Sequence, residues 1–119
     1  MLLVGDEHTG DCTDIANESI ISNNKCSDNS SGITLNDLTN SVVSGNICYD
    51  NAAMGINIPV GSNNTISSNV CNNNGQRGLY VVSADTLIGN IAIGNITVDY
   101  TIPNVLAKLG NIDSNGLVS

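Results

Sequence analysis

The chain has 119 residues, with 11 acidic side chains against 3 Lys or Arg and a net charge of −8. That length predicts one domain, residues 1–119, and the missing basic footprint excludes nucleic acid and disfavours an anionic membrane surface. Phe and Trp are absent and Tyr occurs three times, which excludes a globule built on buried aromatics. No apolar run reaches the ~18 residues of a membrane span.

Met1-Leu2-Leu3-Val4 is too short for a signal-peptide core, and Gly5-Asp6-Glu7 interrupts it. An export signal is therefore not expected within this chain. Residues 1–18 hold Asp6, Glu7, Asp11, Asp14 and Glu18, and the only His, His8. Gly10 stands 14 residues before Asn24, as Gly32 stands before Asn46 and Gly55 before Asn69. The segment therefore reads as a degraded coil or cap, with Asp11 and Thr13 where later coils carry apolar residues.

Residues 19–105 repeat. Asn24-Lys25-Cys26 recurs as Asn46-Ile47-Cys48 and Asn69-Val70-Cys71, and as Asn90-Ile91-Ala92. A second Asn follows each time, at 29, 51, 74 and 95. A Gly opens an alternating apolar stretch in three units: Gly32-Ile33-Thr34-Leu35, Gly55-Ile56-Asn57-Ile58 and Gly78-Leu79-Tyr80-Val81. The fourth unit loses the Gly, and Asp99-Tyr100-Thr101-Ile102 takes its place. Units of 21 to 23 residues with this internal order describe the coils of a parallel β-solenoid. Alternation places Ile21, Val43, Ile66 and Leu87 inside, together with the Cys column; the Asn residues mark corners. Residues 106–119 read as a partial fifth coil and tail, with a short helical turn possible over 104–109.

The repeat resembles that of the NosD-like and pectate-lyase-like superfamily, in the form Asn-x-Ile-x-x-Asn-x-(Ile/Cys/Ala)-x-x-Asn…Gly-Ile-x-Leu. Thr65-Ile66-Ser67-Ser68-Asn69-Val70-Cys71-Asn72-Asn73-Asn74…Gly78-Leu79-Tyr80-Val81 carries it. The resemblance covers residues 19 to about 112. It implies an all-β fold, a right-handed single-stranded parallel β-helix of about four to five coils. Relatives of that kind include polysaccharide lyases, epimerases, phage tail spikes and non-enzymatic surface proteins, and they usually have more coils. This implies a segment of a longer β-helix, or a subunit that stacks on others.

The motif itself is structural, so chemistry must be sought elsewhere. Cys26, Cys48 and Cys71 share one inward position with no His on it, and read as buried thiols filling the interior rather than as a metal site. Cys12 lies off that column and is the one thiol expected to react. Asp6, Glu7, His8 and Asp11 are the candidate metal ligands: the carboxylates suit Ca²⁺, the only cofactor the sequence raises, and His8 with two acids suits a transition metal. The alternative is a solvated acidic cap.

Asp28 and Asp50 share an outward position one coil apart, and with Arg77 they are the candidate catalytic residues of a polysaccharide lyase, hydrolase or epimerase. The paired-Asp, Gly-His-Gly and Arg-x-Lys signatures of polygalacturonases are missing, as is the Asp-Pro-His-Glu signature of alginate epimerases. Tyr49 and Tyr80 point outward and are the candidates for stacking on a sugar ring. The expectation is a non-catalytic structural or glycan-contacting β-helix of a cell-surface, extracellular or virion-associated protein. A carbohydrate-active enzyme fragment and a self-assembling scaffold are the alternatives. The expected partners are a polysaccharide or surface glycan and further β-helix coils, whether its own or a second copy's.

Overall fold

The computed structural model describes residues 2–4, 7–8, 12–82, 84–102 and 107–118, with side chains from residue 17 onward except at 84, 107, 117 and 118. All regular structure among these residues is strand. The chain opens with β1 (Leu2–Val4), β2 (Glu7–His8) and β3 (Cys12–Asn17). Four regular coils follow, each of three strands: β4 (Ile20–Ser22), β5 (Lys25–Ser27) and β6 (Ile33–Thr39); β7 (Val42–Ser44), β8 (Ile47–Tyr49) and β9 (Ile56–Ile58); β10 (Gly61–Ser67), β11 (Val70–Asn72) and β12 (Arg77–Val81); β13 (Ala84–Ile88), β14 (Ile91–Ile93) and β15 (Val98–Thr101). A further coil begins with β16 (Ala107–Leu109) and β17 (Asn111–Asp113), and β18 (Gly116–Val118) ends the description.

The second strand of every coil stacks into a seven-stranded sheet, and the first and third strands share an eleven-stranded one. Neighbours are parallel and in register, so each sequence column becomes a spatial column. Ile21, Val43, Ile66 and Leu87 form one. Cys26, Cys48, Cys71 and Ala92 form another. Ile33, Ile56 and Leu79 form a third, which continues to Tyr100. The first two columns, and Ile33, Ile56 and Leu79, are at most 1% exposed and line one continuous core. The interior is thin, so aliphatic and thiol side chains fill it and large aromatics are not needed.

The corners have a common construction. A residue with positive φ comes first, and the next residue turns its polar side chain inward. Asn23, Gly45, Ser68, Gly89 and Gly110 precede Asn24, Asn46, Asn69, Asn90 and Asn111; Asp28, Asp50, Asn73 and Gly94 precede Asn29, Asn51, Asn74 and Asn95. Gly, Asn and Asp visit this left-handed region at least cost, which explains why the repeats are rich in them. The buried Asn side chains then form ladders. In the first, Asn24, Asn46, Asn69 and Asn90 each donate both backbone N–H and Nδ2 to the Oδ1 of the next coil's Asn, at 2.8 to 3.1 Å. Asn46, Asn69 and Asn90 also reach back to the carbonyls of Ile21, Val43 and Ile66.

Three expectations need correction. In the first coil Cys12 pairs with Ile33 and Asp14 with Leu35, one residue later than the Gly10 spacing implied for Asp11 and Thr13. The register shifts between Ile15 and Asn17, where β3 is one residue shorter than the matching stretch of β6, so counting back from Asn24 misplaces the register. A His does lie on the Cys column, because His8 pairs with Cys26. The helical turn over 104–109 is replaced at 107–109 by β16, which pairs in parallel with β13; stacking overrides local preference there, and 103–106 lie outside the described residues. The tail also does something unforeseen: β18 turns back antiparallel on β17.

Candidate functional site

Asp28 and Asp50 occupy one column in adjacent coils and both are exposed. Their φ angles are 61° and 54°, and Asn73 and Gly94 continue the column at 54° and 71°. The two carboxylates therefore sit on a turn that any short polar residue or Gly can make. Arg77 does not join them. It lies on β12, with its guanidinium carbon 4.8 Å from the centroid of the Tyr80 ring. Lys25 Nζ likewise sits 5.5 Å from the centroid of Tyr49. Each half-buried tyrosine thus carries a cation on one face. The two rings belong to different sheets, β8 and β12, so they do not form one stacking platform.

Of the candidate metal ligands, Asp6 and Asp11 lie outside the described residues, and Glu7 and His8 are placed only as the strand β2. Among the described residues no group of three His, Cys, Asp or Glu side chains gathers to hold a metal. Cys12 is on β3, in the Ile33 column rather than the Cys column. Cys26, Cys48 and Cys71 are buried free thiols. Hydrogen bonding with Cys26 and Cys71, together with burial, pushes the Cys48 thiol well above its ordinary value. It is held protonated, which is the opposite of what a nucleophile or a metal ligand needs.

Two further ladders stack beside the first: one through Ser19 that sequence reasoning missed, and the expected second Asn column, whose end on Asp99 it missed. Ser19 and Ser41 donate their backbone N–H to Ser41 Oγ and Asn64 Oδ1. Asn64 then donates backbone N–H and Nδ2 to Asp85 Oδ1, both at 3.0 Å. The signal was in the sequence: each of these residues stands two before the core residue Ile21, Val43, Ile66 or Leu87. The other ladder begins at Asn29 and runs through Asn51, Asn74 and Asn95. It ends on Asp99 Oδ1, which accepts Asn95 N at 3.0 Å and Asn95 Nδ2 at 2.8 Å. The second oxygen, Oδ2, accepts Ser114 N at 2.9 Å. Partial burial pushes the Asp99 carboxyl up, but the hydrogen bonds from Ser114 and Asn95 outweigh it and hold the group below its ordinary value.

The mouth of the interior lies beside Asp99. There the core columns change character: Lys108 follows Leu87 in register, and Tyr100 follows Leu79. The mouth is a cleft of about 510 Å³ lined by Asp99, Tyr100, Ile102, Lys108 and Asp113, with Ser114 at its rim. The Tyr100 hydroxyl donates to the carbonyl of Asn90 at 2.8 Å, with Ile112 O as a second acceptor at 3.1 Å. Burial is the main cause that pushes this phenol well above its ordinary range. The cleft thus offers one ammonium, two carboxylates and a phenol that does not ionise at neutral pH.

No curated protein and no solved structure matches the chain. A family model described as "Right handed beta helix region" matches residues 4–105, and the coils of in-register parallel strands fit that description. The chain belongs to this family of right-handed β-helices.

Proposed function

We propose that the chain works as a non-catalytic β-helix segment, a stiff structural element whose outer faces meet a glycan in a surface or virion-associated protein. The observation that carries the reading is the use to which the polar side chains are put. Asp85 and Asp99 accept ladder donors, the buried Asn residues bond one another, and Arg77 is stacked on Tyr80. The residues most suited to chemistry are thus engaged in holding the coil. Tyr49 and Tyr80 remain half-buried on the outside, with one ring face each not taken by the neighbouring cation. A carbohydrate-active role is the second reading. It is favoured by the Asp28 and Asp50 column, whose members sit about 4.8 Å apart along the coil axis, close to the ~5 Å carboxylate separation of retaining glycosidases.

The test uses acidic and neutral polysaccharides with the wild-type chain, Asp28→Asn/Asp50→Asn, and Tyr49→Ala/Tyr80→Ala. Binding without cleavage, weakened by the tyrosine pair and unchanged by the aspartate pair, supports the proposal. Cleavage abolished by the aspartate pair would replace it with the second reading.

A further inference from the structure

The position after the third corner is Gly in three coils and Asp in the fourth. A Cβ on Gly55 would lie 2.6 Å from the carbonyl oxygen of Gly78 and 2.8 Å from Asn74 Nδ2; on Gly78 it would lie 2.7 Å from the carbonyl oxygen of Asp99 and 2.5 Å from Asn95 Nδ2. The next coil therefore claims the space a side chain would need. Asp99 occupies the same column, opposite Gly78, but among the described residues no third strand follows β15 in that sheet. Its side chain enters the vacant space and supplies the acceptor that the Asn of a further coil would bring.

One carboxylate thereby makes two different connections. Oδ1 closes the ladder on Asn95, and Oδ2 holds the turn between β17 and β18 through Ser114 N. Ser114 Oγ returns a second tie, accepting Gly94 N at 3.0 Å. The three contacts of 2.8 to 3.0 Å are from N–H donors, and the Ser114 hydroxyl adds a side-chain hydrogen bond to the same carboxylate. A proton on Oδ2 would set an O–H against the Ser114 N–H, and a proton on Oδ1 would set it against the Asn95 donors.

We infer that Asp99 is a charge-held latch: ionised, it locks the 114–115 turn beside β15; protonated, it lets that turn lift and opens the adjoining cleft. β17 stays in place, because Asn111 accepts the Asn90 donors and Ile112 pairs with Ile91. The ionisable groups around the latch are Tyr100 on β15, Lys108 on β16, Asp113 on β17 and Arg77 on β12. Lys108 favours the ionised latch and Asp113 opposes it; Asp113 is itself occupied by Asn115 N at 2.7 Å. Arg77 is turned to Tyr80, and Tyr100 is neutral.

Amide hydrogen exchange on the wild-type chain and on Asp99→Asn tests this. The Asn variant keeps an Oδ1 for Asn95 but presents N–H to Ser114. Protection at Ser114 and Gly94 is expected to fall at least ten-fold in the variant at neutral pH, with Asn69 and Asn74 unchanged. In the wild type the same loss is expected on acidification, following the Asp99 carboxyl resonance and persisting in Asp113→Asn. Unchanged Ser114 protection in Asp99→Asn would overturn the inference. If that variant does not fold, the wild-type titration decides: Ser114 amide and Asp99 carboxyl shifts that move with different midpoints overturn it.

Discussion

Asn69 gives two donors to a single oxygen: its backbone N–H and its Nδ2 reach Oδ1 of Asn90 at 3.1 and 3.0 Å. In turn its own Oδ1 accepts both donors of Asn46. The side chain is fully buried, so each contact is made where water cannot substitute.

Asn69→Ala removes this junction: the Asn46 backbone N–H and one Nδ2 hydrogen lose their acceptor, the Val43 carbonyl loses the Asn69 donor, and Asn90 Oδ1 loses both of its donors from Asn69. At ~1–3 kcal/mol for each buried group so orphaned, a loss of about 3 kcal/mol or more is expected in urea unfolding. Asn69→Asp keeps the acceptor for Asn46 but sets a buried carboxylate oxygen against Asn90 Oδ1 and the Val43 carbonyl, and should lose at least as much.

The glycine column predicts a steric effect of similar size. A methyl at Gly55 would press on Gly78 O, Asn74 Nδ2 and Cys71 Cβ, at 2.6, 2.8 and 3.0 Å. Two of these belong to the rigid core of the next coil, so Gly55→Ala should cost about 1–3 kcal/mol. Thermal melting by circular dichroism measures it.

The thiols predict reactivity. Cys26, Cys48 and Cys71 are at most 1% exposed, and the Cys48 thiol is pushed up. A thiol reagent at neutral pH should label them only after unfolding. Cys71→Ala reproduces what Ala92 already does one coil on, and should cost no more than about 1–2 kcal/mol.

At the corner, Asp50 has a φ of 54°. Asp50→Asn and Asp50→Gly should leave the melting temperature within a degree or two of wild type, while Asp50→Val should cost about 1–2 kcal/mol. A large loss in Asp50→Asn would mean that the charge, and not the turn, is what the position requires.

Asp99 sets the sign of a pH effect on stability. Its folded carboxyl lies below its ordinary value, so it binds a proton less readily folded than unfolded. The stabilisation is present above the unfolded value, about 4, and disappears as pH falls through the folded one. The melting difference between wild type and Asp99→Asn should be largest near neutrality and vanish in strong acid.

Much of the fold was legible because the repeat writes each column into the sequence: Ile21, Val43, Ile66 and Leu87 recur at the same offset from an Asn, and that offset became register. Residues that depart from the repeat were harder. Asp99 was visible as the replacement of a Gly, but its reason is that no described strand lies on its far side, which no local pattern contains. The ladder through Ser41 and Asn64 was hidden because three residue types, Ser, Asn and Asp, share one role. Asp11 and Thr13 were assigned one residue early because β3 drops a residue between Ile15 and Asn17. The cleft joins residues from β15 to the β17–β18 turn, and nothing in their spacing announces that the core opens there.

The ladders also have a polarity. In the side-chain contacts between coils the donors belong to the earlier coil and the accepting Oδ1 or Oγ to the later one, while Asn46, Asn64, Asn69, Asn74 and Asn90 also reach back to main-chain carbonyls, so the two ends of a ladder differ chemically: its late end leaves hydrogens to be accepted and its early end leaves oxygens. Carboxylates therefore suit only the late end, where Asp85 and Asp99 stand. Two late ends brought together would set donor against donor. Any contact made through the ladders must then run in one direction, late end to early end, as magnets in a row do.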